Sequence, residues 1–192
     1  MDDSNRTSPG GSSASPRRRG RRAVSAPLPE GRTGKAVPAK HVAVVDCGTS
    51  SVRAFLAEIR GPEQRILEDL VYPVDLTPGF TGGKLDRAAM DGVVQAFLGI
   101  RSAAQSYGIV DIRAVATSAL REAANSDVLI ESLRQKANVE LEIIDGSETA
   151  RLYFEALRVL LSRCAKRLSG NTLMIDVGGG STCVSLIRQG KL

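Results

Sequence analysis

The sequence VAVVDCGTSSVRAFLAEI, residues 42–59, consists of two apolar runs separated by an aspartate and a short turn rich in Gly, Ser and Thr. Alternating apolar residues on either side of such a turn predict a β-hairpin. A second stretch of the same design, TLMIDVGGGSTCVSLI at residues 172–187, lies about 130 positions further along the chain. One such turn is a weak signal, but two of them in one chain indicate a repeated binding device.

Both turns have the composition of a phosphate-binding site. Glycine allows the backbone to approach a ligand closely, and successive turn N–H groups form a concave site for anions. The aspartates Asp46 and Asp176 would repel a free phosphate, so they require a divalent cation between them and the phosphate. We expect Mg²⁺, which is usually held by one or two carboxylates together with water and substrate phosphates. Hydroxyl donors suited to phosphate oxygens are Thr49, Ser50, Ser51, Ser181 and Thr182.

The residues around the two turns predict an α/β fold with a mixed five-stranded sheet and helices packed on it. Strands are expected near residues 42–47, 52–59, 65–72, 112–117 and 139–144, and a second sheet begins near 172–177 and 182–188. Helical spacing of apolar residues predicts helices over 85–107, over 126–137 with Ser126 as N-cap, and after Ser147 as N-cap. The residues expected on the buried face of the last helix are Leu152, Tyr153, Ala156, Leu157, Leu160 and Leu161.

Three further segments indicate which protein family the chain resembles. They are AVATSALREAANSD at residues 114–127, VELEIIDGSETARLYFEAL at 139–157 and DVGGGST at 176–182. With the first turn, they resemble the exopolyphosphatase/guanosine-pentaphosphate phosphohydrolase (Ppx/GppA) family of the actin/sugar-kinase/Hsp70 superfamily. The resemblance runs from about residue 42 to the end of the chain. It implies an actin-like ATPase (ribonuclease-H-like) domain over residues 41–168, followed over 169–192 by the first hairpin of a second, truncated domain of that kind.

The resemblance also implies an activity and a set of site residues. The activity is hydrolysis of a terminal phosphoanhydride of inorganic polyphosphate or guanosine pentaphosphate, with Asp46 and Asp176 holding Mg²⁺ directly or through water. Glu148 is the remaining candidate for a catalytic carboxylate. The residues that the resemblance assigns to phosphate binding are Gly48, Thr49, Ser50, Ser51, Arg53, Arg121, Gly178, Gly179, Gly180, Ser181 and Thr182.

The chain departs from the family at the carboxylates nearest the chemistry. The family typically shows Gly-x-Glu-Glu-Ala-Arg, and the position of its second glutamate, the base, is Thr149 here. The glutamate that follows the second glycine turn is replaced by Cys183. Glu148 is one residue away from the base position, but a shift of one residue turns a helical side chain by about 100° onto another face.

These departures leave several functions open. The chain is a hydrolase that needs its C-terminal lobe or a second chain, a non-catalytic binder of polyphosphate or (p)ppGpp, or a half-domain whose role is interaction. The order Asp-x-Gly-Thr-Ser-Ser also resembles carbohydrate kinases of the FGGY type, although the other segments have no place in their pattern. The sequence alone does not choose between these functions.

The net charge of +5 resides in the N-terminal residues. Residues 1–40 contain nine of the 26 basic residues and three of the 21 acidic ones, which leaves 17 basic and 18 acidic residues for the remainder. Rich in Ser, Pro, Gly and Arg, residues 1–40 are expected to form a disordered basic tail that could contact anionic polymers. No apolar run approaches the roughly 20 residues of a membrane span, and the polar N-terminus is unlike a secretory signal, so the cytoplasm is the expected location.

Overall fold

A computed structural model of the chain describes residues 17–18, 38–163 and 170–192. In chain order its strands are β1 (Arg17–Arg18), β2 (Lys40–Cys47), β3 (Ser51–Arg60), β4 (Glu63–Pro73), β5 (Phe80–Thr81), β6 (Lys84–Leu85), β7 (Ile112–Ala116), β8 (Leu141–Ile143), β9 (Asn171–Val177) and β10 (Thr182–Arg188). Its helices are α1 (Arg87–Ser106), α2 (Ser118–Glu122), α3 (Ser126–Ala137) and α4 (Gly146–Arg163).

The main sheet has the strand order β1-β4-β3-β2-β7-β8. Strands β2, β3 and β4 form an antiparallel meander, whereas β7 and β8 run parallel to β2. These five strands confirm the predicted mixed sheet. The sixth strand, β1, pairs antiparallel with Val71 and Leu70 of β4 and was not expected inside the predicted tail. The rest of the tail lies outside the described residues, except for residues 38–40, and its disorder stays a prediction.

The core lies between this sheet and the helices α1 and α3. Alternate residues of β2 and β3 are buried, because every second side chain of a strand points to the same face. Full burial of an aliphatic or aromatic side chain contributes about 1.5–3 kcal/mol. The largest fully buried side chains of the layer include Leu56, Leu70, Phe97, Ile100, Leu129 and Leu133.

Two predicted helix caps are wrong. Helix α3 begins at Ser126, so the N-cap position is Asn125, and the Asn125 side chain binds the backbone of Leu85 instead of its own helix. Helix α4 begins at Gly146, and the Asp145 carboxylate accepts a hydrogen bond of 2.8 Å from the Glu148 N–H. Ser147 therefore lies inside the first turn of α4 and does not cap it.

The predicted buried face of α4 is also mostly wrong. The buried residues of its first half are Ala150 and Phe154, while Leu152, Tyr153 and Leu160 are 39%, 38% and 59% exposed. Ala156 is exposed, and Leu157 and Leu161 are half-buried. Helical spacing identifies the apolar face of a helix but does not say how much of that face other elements cover. In the described part of the chain, the apolar face of α4 is only partly covered.

Strands β9 and β10 form a separate two-stranded antiparallel sheet. Ser185 and Ile187 are buried on one of its faces, while the large side chains of the other face are exposed. These exposed residues are Leu173, Ile175, Val177, Val184 and Leu186. That this hairpin begins a second domain stays a prediction. In the described part of the chain, no helix has both the length and the apolar composition that crossing a bilayer requires.

Candidate functional site

The first turn joins β2 to β3 and is held in place by backbone hydrogen bonds. The Gly48 N–H donates to the Ser51 carbonyl across the turn at 3.0 Å. The Thr49 carbonyl accepts from the Leu76 N–H at 2.9 Å, and the Ser50 carbonyl accepts from the Val74 N–H at 3.3 Å. The segment after β4 therefore fixes the position of this turn.

The second turn, between β9 and β10, repeats the geometry of the first. The Gly178 N–H donates to the Ser181 carbonyl at 2.8 Å, which matches the bond from Gly48 to Ser51. The similarity read from the sequence is thus a similarity of backbone structure. Ser50 and Gly179, at the centres of the two turns, are exposed to solvent, while Thr49 is half-buried.

The two turns face each other directly. A Cβ atom added to Gly179 would overlap the Ser50 side chain, and one added to Gly180 would lie 2.5 Å from Thr49 Oγ1. A side chain at either position would force Ser50 or Thr49 to move, so the glycines of the second turn allow it to approach the first turn closely. A phosphate that binds between the turns requires the Thr49 and Ser50 side chains to rotate or the turns to separate.

Two carboxylates lie behind the turns, Asp46 at the end of β2 and Asp176 near the end of β9. Burial raises the pKa of Asp46, the negative charge of Asp176 raises it further, and the Arg53 guanidinium lowers it in part. Asp46 keeps solvent-exposed surface, and its pKa is nevertheless raised in part by the charge of Asp176 on the other turn's strand.

This pair of carboxylates fits the expected cation. Among the described residues, no group of three or more His, Cys, Asp and Glu side chains could hold a metal ion. Two carboxylates alone suit Mg²⁺, because that ion usually fills its remaining positions with water and phosphate oxygens. A cation between Asp46 and Asp176 would also relieve their repulsion.

Two further residues are related to these carboxylates, Tyr153 by its pKa and Cys183 by its place in the hairpin. The pKa of Tyr153 is raised by burial and then by the negative charges of Asp176 and Asp46. Cys183 lies opposite Asp176 in the hairpin register. Sequence reasoning missed Tyr153 because its apolar ring fits the predicted core face of α4. Its position four residues after Thr149, on the same face, is the signal that could have identified it.

Ser118 is a second residue that sequence reasoning missed. It is 4% exposed, and its Oγ lies 3.2 Å from Thr49 Oγ1. Strand β7 runs parallel to β2, so the residues that follow both strands meet at one edge of the sheet. The position of Ser118 just after β7 is therefore the signal that could have identified it as a residue in contact with the first turn.

Glu148 and Thr149 make local contacts at the start of α4. Glu148 forms two hydrogen bonds of 2.6 and 2.7 Å with Arg151, which lower the pKa of Glu148. It is not among the charges that shift the pKa of Asp46 or Tyr153. Thr149 Oγ1 donates to the Asp145 carbonyl at 2.7 Å. The predicted catalytic candidate thus has a partner on the helix itself.

The two predicted phosphate-binding arginines also have protein partners. Arg53 donates to both oxygens of Asp69 at 3.1 and 2.7 Å, and its guanidinium lies 4.7 Å from the centre of the Phe55 ring. It is the cross-strand neighbour of Asp46. Arg121 donates to the Ile144 carbonyl at 2.8 Å and so joins α2 to the segment before α4.

Comparison with known proteins agrees with this architecture. The model of the Ppx/GppA phosphatase family matches residues 78–192. Exopolyphosphatase 1 of Mycobacterium leprae is 35% identical over 101 residues, which are 53% of this chain and 29% of that protein. A guanosine-5'-triphosphate,3'-diphosphate pyrophosphatase of Pseudoalteromonas atlantica is 27% identical over 146 residues, 76% of this chain and 28% of that protein.

The fold is shared with a solved exopolyphosphatase of Cytophaga hutchinsonii. The TM-score is 0.68 at 26% identity, and the alignment covers 78% of this chain and 46% of that structure. The main sheet and its helices therefore form the α/β architecture of the actin-like ATPase fold. The chain spans less than a third of the two curated relatives named above and less than half of the solved structure.

Proposed function

The chain belongs to the Ppx/GppA phosphatase family, and from that premise we propose that it binds the Mg²⁺ complex of a phosphate chain between its two glycine turns. The phosphate chain is inorganic polyphosphate or guanosine pentaphosphate, because the relatives' names include both kinds of activity. The family match also removes the carbohydrate-kinase alternative. The observation that carries the proposal is the direct opposition of the two turns, each of which follows a strand that carries one of the aspartates Asp46 and Asp176.

The proposed site residues have two chemical roles, cation binding and phosphate binding. Asp46 and Asp176 hold the cation, which neutralises phosphate charge and so supplies the main requirement of phosphoryl chemistry. Backbone N–H groups and hydroxyls of the turns bind phosphate oxygens. Arg53 uses Nε and Nη2 on Asp69, and Arg121 uses Nη1 on the Ile144 carbonyl, so each guanidinium keeps further N–H donors for phosphate. The proposed phosphate contacts are Gly48, Thr49, Ser50, Ser51, Arg53, Arg121, Gly178, Gly179, Gly180, Ser181 and Thr182.

Hydrolysis is the second candidate function, and it is supported by family membership. The positions of the family's two carboxylates are Thr149 and Cys183, and Glu148 is paired with Arg151. A threonine does not accept a proton usefully near neutral pH, so we propose that binding exceeds turnover in this chain. A C-terminal lobe or a second chain is part of this proposal, as are contacts of the basic tail with anionic polymers and a cytoplasmic location.

The test is binding of long-chain inorganic polyphosphate in a filter assay, with and without Mg²⁺. We expect Mg²⁺-dependent retention that Asp176→Asn lowers by at least about 10-fold, since metal-site changes of this kind typically have effects of 10–100-fold. Asp111→Asn is the matched control, because Asp111 is exposed and precedes β7 at the opposite end of the sheet from the turns. Equal binding by both variants would contradict the proposal. Phosphate release measured on the same samples separates binding from hydrolysis.

A further inference from the structure

Ser118 lies beside the first turn, where strand β7 passes into the short helix α2. Ala116 and Leu120, two positions before and after it, are completely buried, so the backbone at Ser118 is fixed by packing on both sides. The Ser118 side chain is itself buried, and its Oγ lies 3.2 Å from Thr49 Oγ1. Among the described residues, Thr49 is the hydrogen-bond partner of this hydroxyl.

The Thr49 hydroxyl lies between Ser118 and the second turn. A Cβ atom added to Gly180 would lie 2.5 Å from Thr49 Oγ1, so this hydroxyl faces the backbone of the second turn. The Thr49 carbonyl accepts from the Leu76 N–H at 2.9 Å. Thr49 is therefore held by its backbone and by its side chain, with the hydroxyl at the border of the space between the turns.

The direction of the bond between the two hydroxyls decides what Thr49 can offer a phosphate. A hydroxyl has one O–H donor and two acceptor lone pairs. A phosphate oxygen without a proton only accepts hydrogen bonds. If Thr49 donates to Ser118, its proton is not available to phosphate. If Ser118 donates to Thr49, the Thr49 proton is free, and the buried serine still has a partner.

We propose that Ser118 is a positioning residue of the phosphate site, whose hydroxyl donates to Thr49 Oγ1 and so directs the Thr49 O–H toward a phosphate oxygen between the turns. The inference rests on the proposed function, because it requires Thr49 to contact the phosphate chain. Ser118 acts through Thr49 and is not assigned any contact with phosphate.

The test is the Mg²⁺-dependent filter binding of long-chain inorganic polyphosphate to the full chain. We expect Ser118→Ala to weaken binding about 3–10-fold, the effect of one ordinary hydrogen bond. Ser106→Ala is the matched control and should bind like the wild type. It removes a serine hydroxyl that donates to the Ser102 carbonyl at 3.3 Å. Ser106 precedes Tyr107, whose carbonyl accepts from His41 near the start of β2, at the opposite end of that strand from the first turn.

A second readout distinguishes positioning from a general loss of structure. In a chain that already carries Thr49→Val, Ser118→Ala should have little further effect on polyphosphate affinity, because the hydroxyl that it positions is absent. In a chain that carries Thr49→Ser, which keeps the hydroxyl, Ser118→Ala should weaken binding as it does in the wild type. Circular dichroism melting establishes that each variant is folded. Ser118→Cys, which supplies only a weak donor, replaces Ser118→Ala if the latter does not fold, and it should also weaken binding.

The outcomes separate this inference from the proposed function. If Asp176→Asn weakens binding and Ser118→Ala behaves like Ser106→Ala, the proposed function stands and the positioning role of Ser118 is wrong. That role is also wrong if Thr49→Val binds like the wild type, or if Ser118→Ala has the same effect with and without the Thr49 hydroxyl. If Asp176→Asn binds as tightly as the wild type, the proposed function fails and this inference fails with it. A loss in Ser118→Ala that disappears in the Thr49→Val chain, with normal binding by Ser106→Ala, supports the inference.

Discussion

At the scale of single residues, the pKa of Asp46 shows the electrostatic effect of bringing the two turns together. Burial and the charge of Asp176 raise the pKa of Asp46 above its ordinary value of 3.8. A carboxyl whose pKa is higher in the folded chain than in the unfolded chain favours folding while it is protonated. Its contribution to stability therefore decreases as the pH rises from about 3.8 through the raised pKa.

We therefore expect Asp46→Asn to stabilise the Mg²⁺-free chain at about pH 7 and to have little effect at about pH 3, where the wild-type carboxyl is already neutral. Urea unfolding followed by circular dichroism at both pH values measures the difference. Taking the difference between variant and wild type cancels the other titrating groups, such as Glu58 and Glu131, whose pKa values are lowered. A stabilisation that is equal at the two pH values would contradict the electrostatic explanation.

The replaced carboxylates give a second prediction at this scale. When the chain is joined to the C-terminal lobe of a longer relative, Thr149→Glu with Cys183→Glu should raise phosphate release from polyphosphate about 10²–10⁴-fold, the usual range for general acid–base assistance. Polyphosphate affinity should change little, because the turns are untouched. A colorimetric phosphate assay measures the rate. Family-like turnover by the unmodified chimera that Glu148→Gln abolishes would instead identify Glu148 as the base.

The sequence predicted where the two turns lie but not which residues from other elements lie next to them. Asp46 and Asp176 lie before the two turns as the sequence predicts, and their role as cation ligands stays a prediction. Tyr153 and Ser118 could not be identified, since an aromatic residue on an apolar helix face and a serine after a strand are usually structural. Their role depends on which elements meet in three dimensions, and helical or strand spacing does not contain that information.

At the scale of elements, the start of α4 places Thr149 and Tyr153. The Asp145 side chain accepts from the Glu148 N–H, and the Asp145 carbonyl accepts from the Thr149 N–H and hydroxyl. The sequence predicted Ser147 as the cap, because the choice of a cap requires the first helical residue, and spacing defines that residue only to within a few positions.

Asp145→Ala should lower the free energy of unfolding by about 1 kcal/mol, the typical effect of removing an N-cap side chain. Ser147→Ala should change it by less than about 0.5 kcal/mol, as for exposed positions without a specific role. Urea unfolding of both variants tests the assignment. If Ser147→Ala lowers the free energy of unfolding more than Asp145→Ala does, the N-cap is Ser147 and this assignment is wrong.

The hairpin of β9 and β10 gives the second prediction at this scale. Isolated two-stranded hairpins are marginally stable in water, and this one exposes five large apolar side chains on one face. Ile175 and Val184 lie directly opposite each other on that face, 58% and 60% exposed. Exposed apolar patches of this kind favour association.

Sedimentation analysis at tens of micromolar should show self-association of the wild-type chain. The double variant Ile175→Lys with Val184→Glu should be mostly monomeric, because it replaces two exposed apolar side chains with charged ones. The opposite charges face each other across the strands, so the backbone hydrogen bonds of the hairpin should be kept. Val110→Lys, at another exposed apolar position, should associate like the wild type. A monomeric wild type would show that the exposed face does not drive association.

At the scale of the whole molecule, the five-stranded sheet and the hairpin follow from two periodicities in the sequence, alternation in strands and helical spacing in α1 and α3. Strand β1 could not be predicted, because Arg17 and Arg18 lie in a basic segment without apolar alternation. The exposure of α4 and of the hairpin depends on which surfaces meet, and the chain spans only 46% of the solved exopolyphosphatase structure.

The central claim is that the main sheet and the hairpin share one cation, held by Asp46 and Asp176. The measurement that tests it most directly is the Mg²⁺-dependent affinity for polyphosphate of wild type, Asp46→Asn, Asp176→Asn and the double variant. Two ligands of one ion act as a unit, so their effects are not additive. We expect each single variant to lose at least about 10-fold and the double variant to lose far less than the product. Losses that multiply, or no loss in either single variant, would contradict a shared cation site.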